Sequence, residues 1–176
     1  MNQSDRLRDR LRGIKLFLCD VDGVLTDATV FLGDGKEFKA FNILDGLGML
    51  LLKRNGIKVG WVSNRPSQVT AQRAQELKID FLHQHDGRKV TAVESILAQA
   101  GYKWEETCYM GDDIVDLGVL NRVGLAVAVA NAIPEVKAVA HCVTDAAGGH
   151  GAVREVVRLI LEAQGKWAAV IKEHSA

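Results

Sequence analysis

Apolar residues in this chain gather into six short runs, at 14–19, 57–63, 79–83, 107–110, 124–129 and 141–144, rich in aliphatic and β-branched side chains. Runs of that length without polar alternation predict strands buried on both faces, as in a parallel sheet. Between them the spacing turns helical, in "DGLGMLLLKRN", "SQVTAQRAQELK", "GRKVTAVESILAQAG", "DIVDLGVLNRV" and "IPEVKAVA". In the last segment, "GAVREVVRLILEAQGKW", Val153, Val156, Val157, Ile160 and Leu161 recur at intervals of three and four, which makes one apolar stripe.

Strands alternating with helices predict an α/β fold, a Rossmann-like parallel sheet with helices on both faces. Residues 27–42 break the alternation. They read as two short strands, "TVFL" and "EFKAF", joined by the turn "GDGK", so a small β-hairpin flap is expected beside the end of the first strand. No repeat or linker interrupts the 176 residues, which suit one domain over 1–176, with 148–176 as a C-terminal helix and tail. Gly148, Gly149 and Gly151 before that helix, and Trp167 after it, suggest a mobile lid acting on a neighbouring subunit, with a plain C-terminal core helix as the alternative.

Composition narrows the setting. The 22 lysines and arginines balance 22 aspartates and glutamates, so no net field points toward nucleic acid or an anionic membrane. No apolar run reaches membrane-spanning length, and the first fifteen residues lack the apolar middle of a signal peptide. A cytoplasmic protein is expected, with neither nucleic acid nor membrane as partner. Cys19, Cys108 and Cys142 are widely spaced in strand-like surroundings and read as small buried hydrophobes.

The candidate chemistry lies at the ends of the predicted strands. "LFLCDVDGVLTD" closes the first with Asp20 and Asp22, two apart and so expected on one side of a strand, and Gly23 lets the chain turn there. Two like charges at that range call for a cation, and oxygen ligands favour Mg²⁺; a bare pair of this kind also serves as a helix cap or turn. "MGDDIVD" places Asp112, Asp113 and Asp116 after the fourth strand, where one of them would suffice as a cap. The second strand ends in Ser63, followed by Asn64 and Arg65, and "DGRK" sets Lys89 at a helix start. Taken singly, Ser63 reads equally as a helix cap and Lys89 as a surface cation. Together these residues supply the acids, hydroxyl and cation that Mg²⁺-dependent phosphoryl transfer requires.

These motifs, in this order and spacing, resemble the haloacid dehalogenase superfamily of phosphatases. More narrowly, "FKAFNILDGLGMLLLKRNGI", "VAVANAIPEVKAVA" and "GGHGAVREVVRLILEAQGKW" are similar to the 3-deoxy-D-manno-octulosonate 8-phosphate phosphatase family, from about residue 14 to 167. The resemblance implies Asp20 as nucleophile and Asp22 as general acid-base. It implies Mg²⁺ held by Asp20, the Asp22 main-chain carbonyl and Asp112, with Ser63 and Lys89 on the phosphoryl group and Asp113 and Asp116 orienting Lys89 and metal-bound water. It also implies a phosphorylated sugar acid as substrate, no inserted cap domain, and a homotetramer whose flaps meet around an axis. Two positions where relatives commonly carry arginine hold Leu44 and His150, so the substrate carboxylate falls to Arg65 and Arg73, while Asn64 adds a side chain beside the phosphate. A related nine-carbon 2-keto-3-deoxy acid phosphate is the alternative substrate, and a catalytically silent oligomerisation module the alternative class.

Overall fold

The computed structural model describes residues 3–175. Six parallel strands form one sheet: β1 (Leu16–Cys19), β4 (Lys58–Ser63), β5 (Phe81–Gln84), β6 (Thr107–Gly111), β7 (Leu125–Ala128) and β8 (Cys142–Val143), in the order β5-β4-β1-β6-β7-β8. Every residue of β1 is buried because β4 and β6 flank it and helices cover its faces, hence the unbroken apolar run. At the edge, β5 is half-exposed and carries His83 and Gln84.

The helices are α1 (Gln3–Arg12), α2 (Ile43–Arg54), α3 (Gln68–Glu76), α4 (Lys89–Ala100), α5 (Leu117–Leu120), α6 (Pro134–Val139), α7 (Ala152–Ala163) and α8 (Trp167–Glu173). On one face α7 packs against α1 and α2; on the other α5 packs against α4 and α6. All five residues of the α7 stripe are fully buried. Each contributes about 1.5–3 kcal/mol of burial, which makes α7 a core helix. Gly148 is just as fixed, since a Cβ there would overlap the Gly23 carbonyl. The expected lid therefore does not begin at Gly148. Trp167 lies under the Arg154 and Arg158 guanidinia, 5.0 and 5.9 Å from its ring centre. The end of the expected tail, Ala176, lies outside the described residues.

The flap is a separate two-stranded antiparallel sheet, β2 (Phe31–Gly33) and β3 (Lys36–Phe38), shorter than the pattern predicts. Asp34 and Gly35 turn it with φ of 49° and 70°, the left-handed pair that a two-residue hairpin needs. Past β3 the chain is pinned at once: Phe41 stacks on buried Trp61, and the Asn42 side chain caps α2 by accepting from the N–H groups of Leu44 and Asp45. The flap thus leads straight into α2, and no cap domain is inserted among the described residues.

Strand order fixes where a ligand can bind. The chain starts at β1, steps outward through β4 to β5, then returns to the other side of β1 at β6. The connections leaving β1 and β6 diverge, which opens a crevice at their carboxyl ends. Asp20 and Asp112 follow those two ends.

Candidate active site

β1 stops at Cys19, one residue before the first acid, and residues 21–26 form a turn held by the Val24, Leu25 and Thr26 N–H groups on the Val21 carbonyl. The strand alternation that set Asp20 and Asp22 on one side therefore does not run through Asp22. Gly23 has φ +97°, and a Cβ on it would overlap Asp112 Oδ2, so only glycine lets the second acid loop close on the first.

Asp20 is buried, and its Oδ1 accepts from the Val21 N–H at 2.6 Å and pairs with Lys89 Nζ at 2.8 Å. The same ammonium donates to Asp116 Oδ1 at 2.7 Å. Asp116 is fully buried and saturated: Tyr109 donates its hydroxyl to Oδ1 at 2.7 Å, and the N–H groups of Asp112 and Asp113 reach Oδ2 at 3.0 and 3.4 Å. Burial opposes the charge on Lys89, but Asp116 and Asp20 outweigh it and hold the ammonium above its ordinary pKa. Burial pushes the Tyr109 hydroxyl well up, with Asp116 and Asp20 adding to it, so Tyr109 stays a donor.

Of the two acids expected behind Lys89, Asp116 makes the contact. Asp113 does not: its Oδ1 takes the Ile114 N–H at 2.6 Å and caps the short turn there. The reason is local, because an acid preceding a helical turn is drawn to the unpaired N–H groups of that turn.

Carboxylate oxygens of Asp20, Asp112 and Asp116 lie within 4.8 Å of one another. Asp116 has its lone pairs occupied, whereas Asp112 Oδ1 is buried without a hydrogen-bond partner. Burial, then Asp20 and Asp116, push Asp112 up to about 7; burial raises Asp20 to about 6 against the pull of Lys89. Two strained carboxylates, one with an orphan oxygen, fit a hard divalent cation such as Mg²⁺.

Ser63 is buried at the end of β4, and its hydroxyl accepts from the Arg65 N–H at 3.0 Å. The cap of α3 is Ser67 instead, which accepts from the Thr70 N–H. Asn64 and Lys89 border a cleft of about 650 Å³ with Arg88 and Arg122, and Asn64 Oδ1 is buried without a partner. Arg65 reaches the flap, donating to Glu37 at 2.7 Å. Arg73 lies over Gly46 of α2 and pairs with Glu76 at 2.7 Å, so its guanidinium is engaged between helices. Leu44 and His150 are both exposed.

Sequence reading missed three residues of the site. Lys39, its side chain wholly buried, sits 2.6 Å from Asp22 Oδ1 and 3.6 Å from Glu37. The alternation of Glu37, Phe38 and Lys39 along β3 and just beyond it puts the two charges on one side of the hairpin, and that signal was available. Tyr109 gave none, being one apolar-looking residue in a buried strand.

A crevice of this kind, with a carboxylate nucleophile candidate, a buried ammonium and an open cation position, defines an enzyme that moves phosphoryl groups with a metal's help. A model of the haloacid dehalogenase-like hydrolases matches residues 60–156. The 3-deoxy-D-manno-octulosonate 8-phosphate phosphatase KdsC of Yersinia pestis is 42% identical over 164 residues, 93% of this chain and 88% of that protein. The crystal structure of the same-named phosphatase from Moraxella catarrhalis, in complex with magnesium ion, phosphate ion and a KDO molecule, superposes with a TM-score of 0.94 at 36% identity, covering 97% of this chain and 98% of that one. The cobalt-bound form of the Haemophilus influenzae phosphatase matches with a TM-score of 0.87 at 39% identity, over 89% and 92% of the two chains. This chain belongs to the haloacid dehalogenase-like hydrolases and, within them, to the family of 3-deoxy-D-manno-octulosonate 8-phosphate phosphatases.

Proposed function

We propose that the chain is an Mg²⁺-dependent phosphatase that hydrolyses 3-deoxy-D-manno-octulosonate 8-phosphate to the free sugar acid and phosphate, in lipopolysaccharide precursor synthesis. The observation that carries this reading is the buried Asp20–Lys89–Asp116 array beside the orphan oxygen of Asp112. Asp20, the Asp22 main-chain carbonyl and Asp112 would hold Mg²⁺, which when bound neutralises charge on the phosphoryl oxygens.

Asp20 Oδ1 is tied to Lys89 and the Val21 N–H, which leaves Oδ2 to attack phosphorus. The bond from phosphorus to the sugar oxygen breaks, and that oxygen takes a proton from Asp22. Asp20 now carries the phosphoryl group. Water then attacks phosphorus and gives a proton to Asp22, the Asp20–phosphorus bond breaks, and inorganic phosphate leaves with the Asp20 carboxylate restored. Lys89, kept charged by Asp116, offsets the charge of the transferring group, and the Ser63 hydroxyl and Asn64 border its oxygens.

We place Arg65 and Arg73 as candidates for the sugar carboxylate; Arg73 must then leave Glu76 or serve a neighbouring copy. We further propose that the protein works in the cytoplasm as a homotetramer. Phe31, Leu32 and Phe38 on the flap are 61%, 76% and 56% exposed, and a second copy would cover them. Leu44 and exposed His150 favour one second reading, a nine-carbon 2-keto-3-deoxy acid phosphate as substrate, and phosphate release from a panel of sugar phosphates separates the two.

The deciding test is Asp20→Asn, which keeps the shape of the side chain and removes the nucleophile. Turnover should fall to background with melting behaviour retained. Phosphate release at the wild-type rate from that folded variant would sink the proposal.

A further inference from the structure

One buried cation is left unused by this mechanism. Lys39 is inserted from the flap, its side chain fully buried while Phe38 beside it stands in solvent. The ammonium meets three elements at once: it lies 2.6 Å from Asp22 Oδ1 in the β1 turn, 3.6 Å from Glu37 of the flap, and donates to Thr70 Oγ1 of α3 at 3.3 Å. Thr70 is itself fully buried, and Glu37 is fixed by Arg65 at 2.7 Å and by the Ser67 hydroxyl at 3.1 Å. Both anchors of the ammonium are therefore rigid.

The contact with Asp22 is an ion pair by distance and not an aligned hydrogen bond, since Asp22 Oδ1 is buried without a hydrogen-bond partner. The lysine acts there as a point charge that draws one carboxylate oxygen toward the flap. With Oδ1 held on the ammonium, Oδ2 is the carboxyl oxygen left for proton transfer. A carboxylate in a turn has no strand geometry to orient it, so a fixed charge must do so, and misplacement of a reacting group by an ångström costs about 10²-fold in rate.

We infer that Lys39 is a positioning residue: it fixes Asp22 with Oδ1 on the ammonium, so that Oδ2, which carries the proton in the first step and takes one from water in the second, meets the leaving sugar oxygen. The inference rests on the acid-base role given to Asp22 above. It makes the flap part of the chemistry, because the hairpin must be seated on α3 for Lys39 to be in place.

Phosphoenzyme formation in the pre-steady state, with Mg²⁺ present, tests this using two substrates. The sugar acid phosphate needs a proton on its leaving oxygen; 4-nitrophenyl phosphate releases a stable phenolate and needs none. Lys39→Met should slow the first substrate about tenfold or more and change the second by no more than about twofold, since only general-acid help is lost. Lys39→Arg, which restores the charge, should recover part of the rate. Equal slowing of both substrates by Lys39→Met, or no slowing of either, overturns the inference. Should Lys39→Met fail to fold, Thr70→Val removes one anchor and keeps the charge; it should shift the ratio of the two rates the same way by a smaller factor, and an unchanged ratio overturns the inference. Asp22→Asn is the reference: wild-type rates from it on the sugar acid phosphate would remove the acid-base reading itself, whereas a slow Asp22→Asn beside a fast Lys39→Met removes Lys39 alone.

Discussion

At the residue scale the site is governed by what each buried carboxylate has around it. Asp116 is saturated by four donors and orients Lys89; Asp112, a few residues earlier, keeps a buried oxygen without a partner. This difference has a pH consequence. Asp112 is raised to about 7 by burial and the neighbouring acids, above its value in the unfolded chain, so the metal-free fold loses stability as pH rises from about 4 through 7, when the carboxylate ionises inside the protein. In the proposed site Mg²⁺ would bind the ionised form and offset that loss. The Mg²⁺-induced rise in melting temperature should therefore be larger at pH 8 than at pH 5.5, where Asp112 must first release a proton; thermal melts with and without Mg²⁺ at the two pH values measure it. Asp112→Asn should abolish the pH dependence of the metal effect together with most of the effect.

At the scale of elements, α7 and the flap have opposite characters. The stripe of α7 is fully buried against α1 and α2, so Ile160→Ala should cost about 2–5 kcal/mol, read from denaturant unfolding, through a cavity the surrounding helices cannot close. Truncation after Gly165 spares that helix and should leave a folded protein with an unchanged Mg²⁺ response. The flap, by contrast, buries Lys39 while its phenyl groups stay exposed. Its stability comes from the charges it shares with α3 and Asp22 and from Phe41 on Trp61, not from a core of its own.

At the scale of the whole molecule, the order of strand addition reverses at β1 and puts the candidate site between β1 and β6, while the apolar flap and the exposed start of α2 lie on the outside. Ile43 and Leu44, 77% and 58% exposed, extend the apolar surface of the flap. A Leu32→Glu, Phe38→Glu variant places charge in that surface and should dissociate the proposed tetramer, read as a fall in mass by light scattering. A variant that stays assembled would place the subunit contacts elsewhere.

The linear chain determined the six strands, the hairpin and the acids at the strand ends, because burial on two faces and a glycine turn each leave a local pattern that needs no partner to be read. The same locality explains why Asp113 and Asp116 looked alike in "GDDIVD". Which of them caps a turn and which holds Lys89 depends on Tyr109 and on a helix from far along the chain, and only packing brings those together. The tail glycines looked like a hinge for the same reason: flexibility is a property of the residue, but Gly148 lies so close to Gly23 that a Cβ would overlap its carbonyl, and its N–H is held by Asn131 Oδ1. Lys39 is the plainest case, a lysine in an exposed hairpin that becomes a buried cation on Asp22 once the flap is laid against α3.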